Sequence, residues 1–234
     1  MKKTPYGTHY LDNHDIKSVV NSLKKPLITR GPLVKKFEDK ISKFVDCRYA
    51  VAVSSCTAGL HIALKALEKN YRRKVLTPAI SFVSTANTIL MNDLTPEFID
   101  IDKHSLNIDL EYIKKNVKNL KKIKAIMPVH LTGLASNSSN IFSFAKKNGI
   151  KVIEDGAHSF GGKYECGAMV GSCKYSDMTV FSFHPVKSIT TLEGGIITTN
   201  SKKLYQKLLS LRDHGITRNT KNSSWYYDVK TLGY

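Results

Sequence analysis

Four places in the chain combine reactive or ligand-holding side chains with the small, turn-forming neighbours that would expose them. FSFHPVKSITTLEGG, from Phe181 to Gly195, carries Lys187 five residues after Ser182, beyond an apolar run and ahead of two glycines. An amine desolvated there is a nucleophile, since burial disfavours the ammonium, and it can attack a carbonyl to form an imine. EDGAHSFGG, from Glu154 to Gly162, sets Asp155 at the end of the run KVIED with His158 three positions on. A carboxylate so placed can hold a cation or a protonated ring nitrogen, or it can cap a turn. SSCTAGL, from Ser54 to Leu60, opens a helical stretch; its first turn can offer backbone N–H groups to a phosphate or serve only as an N-cap. Phe82 in AISFVST can lie on a planar ligand or fill core.

The four places meet one set of requirements. Pyridoxal phosphate (PLP) needs an amine for its aldehyde, a carboxylate for its pyridinium nitrogen, hydroxyls and N–H groups for its phosphate, and an apolar face against its ring. Lys187, Asp155, Ser182 with Ser55 and Thr57, and Phe82 supply one of each.

The elements around these residues alternate in period. DIKSVVNSL and VKKFEDKISKFV have helical spacing and are separated by KKPLITRGP, whose proline and glycine mark a turn. From CRYAVAVSS onward, short β-branched runs (YAVAV, VLTPA, PEFIDI, KAIMPVH, KVIED) are each followed by a helical stretch or a turn. That order predicts an α/β layer with a mostly parallel sheet flanked by helices, and ligands of such sheets gather at the carboxyl ends of the strands. MTVFSFH and GGIITTN have only a turn between them, so the sheet is expected to be mixed. SKKLYQKLLSLRDHG reads as a last helix and NTKNSSWYYDVKTLGY as irregular.

A chain of 234 residues with 41% hydrophobic and 9% aromatic content can bury a core. No window approaches the ~18 apolar residues of a membrane span, and MKKTPYGTHYLDNHD has no apolar stretch behind its basic pair, so a cytoplasmic protein without membrane contact is expected. Cys47, Cys56, Cys166 and Cys173 form no C-x-x-C pair and no zinc spacing, which predicts no metal site. The charge is +17, from 36 Lys+Arg against 19 Asp+Glu. It favours an acidic partner, but the lysines are scattered along helices and no nucleic-acid motif accompanies them. A phosphorylated small molecule fits better than nucleic acid; a basic polyanion-binding protein is the reading from a different class.

The pieces PYGTHYLDNHDIKSVV, LITRGPLVKKFE, YAVAVSSCTAGLHIAL, ISFVSTAN, TPEFIDID, MPVHLTG, IEDGAHSFGG, SDMTVFSFHPVKSITTLEGG, LRDHGI and YYDVKTLGY, in that order, resemble the DegT/DnrJ/EryC1/StrS-type PLP-dependent sugar aminotransferases of fold type I. Among these the chain is most similar to enzymes that aminate C4 of a UDP-linked 4-keto-6-deoxy-N-acetyl hexosamine on the way to pseudaminic acid. The resemblance implies that Lys187 anchors the cofactor covalently and then carries a proton between cofactor and sugar. It implies that Asp155 holds the pyridine nitrogen, Phe82 covers the ring, and His158 lies near the phenolic oxygen. Ser182, Thr57 and the amide of Ala58 would hold the phosphate, and Tyr6, Thr29 and Ser55 are substrate-side candidates. L-glutamate is the implied amino donor, in a ping-pong reaction, and a homodimer the implied assembly. An aminotransferase acting at C3, or on a dTDP- or GDP-linked sugar, remains an alternative. Residues 1–30 would form an N-terminal helix and substrate-side loop, and 31–234 the PLP-binding large domain. The family continues past LGY with an Asn-x-Arg segment and a smaller C-terminal domain, and neither follows Tyr234 here; the resemblance therefore implies a fragment or truncated form.

Overall fold

The computed structural model describes residues 7–67, 71–135, 137–217, 223 and 225–234. Each β-branched run forms a strand: β1 (Tyr49–Val53), β2 (Lys74–Pro78), β3 (Thr95–Ile99), β4 (Ile123–Ile126), β5 (Lys151–Asp155), β6 (Met178–Ser182) and β7 (Gly195–Thr199). The helical stretches become α1 (Asn13–Leu23), α2 (Pro32–Val45), α3 (Cys56–Ala66), α4 (Val83–Leu90), α5 (Leu110–Asn116), α6 (Ser138–Lys147) and α7 (Lys202–Arg212). The strands make one sheet in the order β1-β7-β6-β5-β4-β2-β3. Pairing is parallel from β3 through β2, β4 and β5 to β6, while β7 runs antiparallel to both neighbours, β6 and β1. The expected mixed, mostly parallel sheet is present.

Strand residues alternate between two buried faces, which is why the runs read as continuously apolar. On one face Met178, Val180, Ile153 and Ile197 pack with Leu60 and Leu64 of α3, Ile89 of α4 and Leu208 of α7. On the other, Ile126 and Val152 meet Ile113 of α5 and Ile141 of α6, while Phe181 and Ile196 meet Ile41 and Val45 of α2. Gly59 brings α3 close to the sheet, since a Cβ there would stand 2.7 Å from Val180 Cγ1.

Local signals set the helix ends. Pro32 occupies the first turn of α2 and Asp46 ends it in the left-handed region; Ser55 caps α3, and Ser201 caps α7. A capping box between Asp12 and Asp15 starts α1, yet none of its residues is buried, and Ile16, Val19, Val20 and Leu23 form an uncovered apolar stripe. The end of the chain departs from the irregular segment expected. β8 (Ile216–Thr217) pairs antiparallel with β9 (Asp228–Val229), and the Tyr234 amide donates to the Leu211 carbonyl at 2.7 Å. Among the described residues no helix is long and apolar enough to cross a membrane.

Candidate active site

The carboxyl ends of β1, β2, β4, β5 and β6 open into a cleft of about 430 Å³. Asp155 ends β5 at its floor and is 3% exposed. Thr85 Oγ1, in α4, donates to Asp155 Oδ2 at 2.8 Å, and the Ala157 amide donates to Oδ1 at 3.1 Å. These bonds fix the carboxylate at the cleft instead of leaving it to a turn alone. The peptide is held as well: the Asp155 amide donates to the Pro128 carbonyl at 2.9 Å, and the His130 amide to the Asp155 carbonyl at 3.0 Å.

Lys187 enters from the turn after β6, half-buried, with its amide donating to the His184 carbonyl at 2.9 Å. It makes no ion pair among the described residues, yet its charge reaches the cleft. The Cys56 thiol is pushed up by burial and by the charge of Asp155, while Lys187 pulls it the other way. His158 lies at the rim, its imidazole held below the ordinary range by desolvation and then by the Lys187 charge, against the pull of Asp155. It is therefore a neutral ring near pH 7.

Ser55, Thr57 and Ser182 line the same cleft, with the Ser182 hydroxyl accepting from the His184 amide at 3.4 Å. Gly195 opens β7 directly against the turn before α3: a Cβ there would stand 2.7 Å from the Cys56 nitrogen. Phe82, which sequence alone could equally have assigned to the core, is 71% exposed at the start of α4 and lines the cleft.

Among the described candidates, Ala58 and Thr29 do not line this cleft. The Ala58 amide donates to Ser55 Oγ at 3.1 Å, so the helix cap occupies the donor expected for a phosphate, and Ala58 lines a different cleft. Thr29 sits exposed in the turn between α1 and α2 and is absent from the cleft lining. Tyr6 lies outside the described residues. Sequence reasoning in turn missed Thr85, although its motif ISFVSTAN was in view, and it missed the side chain next to Asp155. Glu154 is fully buried, its Oε2 accepting from Tyr164 Oη, Ser176 Oγ and Thr179 Oγ1 at 2.7–2.8 Å, with its Oε1 3.1 Å from His130 Nε2.

The different cleft, about 710 Å³, flanks the same turn through Val53, Ser54 and Ala58. Its charges are paired: Arg212 with Glu38, whose Oε1 also accepts from the Ala52 amide at 2.9 Å, Arg30 at 3.7 Å from Asp213, and Lys35 with Asp39 outside the lining.

A lysine, a strand-end carboxylate, an aromatic lid and a hydroxyl-rich helix start in one cleft accord with the family comparison, in which residues 9–234 match throughout. The chain belongs to the DegT/DnrJ/EryC1/StrS aminotransferase family. It is 38% identical, over 98% of its length and 59% of the relative's, to the UDP-4-amino-4,6-dideoxy-N-acetyl-beta-L-altrosamine transaminase of Campylobacter jejuni. Helicobacter pylori PseC, an aminotransferase involved in the biosynthesis of pseudoaminic acid, has the same fold with a TM-score of 0.92 and 30% identity, over 100% of this chain and 61% of PseC. Spr1654 from Streptococcus pneumoniae in its PLP form matches with a TM-score of 0.87 and 29% identity, over 99% of this chain and 62% of that one. The chain thus spans about six-tenths of the length of these family members.

Proposed function

We propose that the cleft holds PLP and that the protein transfers an amino group to a nucleotide-linked keto sugar, most specifically to C4 of a UDP-linked 4-keto-6-deoxy-N-acetyl hexosamine, with L-glutamate as donor. The observation that carries this reading is the convergence of Lys187 with the buried, doubly hydrogen-bonded Asp155 in one cleft. The residues fit the group. Asp155 would pair with the pyridine nitrogen and Lys187 Nζ would bond its aldehyde carbon. Phe82 would cover the ring, and the hydroxyls of Ser55, Thr57 and Ser182 with the first turn of α3 would hold the phosphate.

Bound PLP supplies an electron sink for the carbon that bears the transferred nitrogen. The chain's own groups do the rest. Lys187 Nζ, once free, takes a proton from one carbon and returns it to another, a role that needs a mobile amine without a salt-bridge partner. Asp155, fixed by Thr85 and Ala157, keeps a proton on the ring nitrogen by charge pairing. His158, neutral at the rim, can accept or donate one hydrogen bond at the phenolic oxygen without adding charge. Phe82 excludes water from the face it covers.

The finer substrate choice is supported by the Campylobacter jejuni relative and by the likeness to PseC. Assembly as a homodimer, with Tyr6 and Thr29 contacting substrate from the N-terminal segment, belongs to the same proposal. Incubation with PLP, borohydride reduction and peptide mapping tests it: label on Lys187 alone is expected, and label on another lysine sinks the assignment. A UDP-linked 4-amino sugar should discharge the visible band of bound PLP; equal discharge by unrelated amino acids alone would sink the sugar reading.

A further inference from the structure

Asp155 and Glu154 are consecutive residues of β5 whose side chains point to opposite faces of the sheet, one into the cleft and one into the core. Placing a carboxylate at 0% exposure costs several kcal/mol unless its partners compensate, and a core residue needed only for packing would be apolar. Glu154 is well supplied. Three hydroxyls, from Tyr164, Ser176 and Thr179, converge on Oε2. Oε1 faces His130 Nε2, and neither of these two atoms has another hydrogen-bond partner among the described residues. Burial alone would push the Glu154 carboxyl up; the charge of His130 and the bonds from His130, Tyr164 and Thr179 outweigh it and hold the group below the ordinary carboxylate range.

His130 is the link to the cleft. It is 2% exposed and belongs to the loop after β4, which grips the Asp155 peptide on both sides through Pro128 O and His130 N. Val129, bridged to Asp155, and Leu131 form the adjoining cleft wall. Asn107 secures the far end of the loop, accepting from the Leu131 amide at 3.2 Å and donating to the Leu134 carbonyl at 2.8 Å. At the near end the His130 side chain turns into the core and faces Glu154.

We propose that Glu154 and His130 are positioning residues for Asp155: the buried pair fixes the loop that clamps the Asp155 peptide and thereby sets where its carboxylate meets the cofactor's ring nitrogen. This rests on the cofactor reading above. It separates from a merely structural role because it acts through one atom of the ligand.

The test compares two ligands on the whole chain, PLP and its carbocyclic analogue in which the ring nitrogen is replaced by C–H. Glu154→Gln is expected to weaken PLP about tenfold, as loss of a supporting partner does at other sites, while the analogue binds within about twofold of its affinity for the unsubstituted chain. Equal losses for both ligands, or no loss for PLP, overturn the proposal. If Glu154→Gln does not fold by far-UV circular dichroism, Tyr164→Phe decides, with a loss of about threefold expected for PLP alone and the same two contrary results. Failure of the unsubstituted chain to bind PLP would overturn the cofactor reading itself and this inference with it.

Discussion

Two clefts flank the turn before α3, and the larger has the more fully paired charges. The 710 Å³ cleft contains more charged side chains, but they answer one another: Glu38 meets Arg212 and the Ala52 amide, and Arg30 lies near Asp213. The 430 Å³ cleft holds Lys187 without an ion-pair partner among the described residues, a buried carboxylate, a neutral histidine and an exposed aromatic. Matched charges fasten α2, β1 and α7 together; in the smaller cleft Glu193 stands 3.8 Å from His184, and Lys187, unpaired among the described residues, is available to a ligand. The difference teaches that unmet chemical demand marks a site better than volume does.

The comparison breaks most sharply at Lys187. Lys187→Ala should abolish borohydride-stable PLP label altogether, read by intact mass; label persisting elsewhere in the chain at equal yield would erase the distinction between the clefts. Asp155→Ala comes next, removing a charge-assisted contact of about 2–3 kcal/mol and lowering PLP affinity on the order of 100-fold by absorbance titration. Glu38→Ala tests the other side of the contrast: the thermal midpoint should fall as about 2 kcal/mol of stability is lost, with PLP affinity of the folded protein unchanged. An affinity loss equal to that of Asp155→Ala would join the two clefts into one site. Phe82→Ala should weaken PLP by about 1 kcal/mol, roughly fivefold, without loss of stability, because the ring is exposed before any ligand arrives.

The smallest effect sharpens the comparison through pH. His158 lies in the smaller cleft, and His61 packs edge-on to Tyr234 of the larger, at 4.4 Å. Both imidazoles are held below 6.5, chiefly by desolvation. The folded state therefore binds fewer protons than the unfolded one just below pH 6.5, and stability falls as pH drops from there. Glu154, held below 4.5, adds a second loss as pH falls through its lowered value. Melting curves of the PLP-free chain should show both limbs, and His158→Asn should flatten the first; a steeper first limb would contradict the assignment.

Much of the candidate cleft was legible because it opens where strands end, and strand ends are readable from pattern. Asp155 closes KVIED, Lys187 follows MTVFS, and Thr57 lies in the first turn of α3; each lies within a few residues of a change in period. What stayed hidden depends on contacts across the chain. The antiparallel seat of β7 between β1 and β6 joins residues about 145 positions apart, and no local pattern records it. Glu154 looked like the polar neighbour of Asp155 until Tyr164, Ser176, Thr179 and His130 were seen around it. Ala58 shows a different limit of local reading, since the sequence does not reveal that its amide donates to the Ser55 cap. Thr29 could be placed in a turn from its neighbours, but a turn's residues do not say which surface it faces.

The bare backbone contact at Gly195 has a consequence for how the protein is made. β1, with the turn that follows it, is synthesised early, but among the described residues it is an edge strand paired with β7 alone, and that turn rests against the first residue of β7. A nascent chain therefore lacks the backbone support of that turn until residue 195 and the strand beyond it have left the ribosome. Closure of this end of the cleft is accordingly a late event of synthesis, and until then the edge of β1 stands open to other chains or to a chaperone.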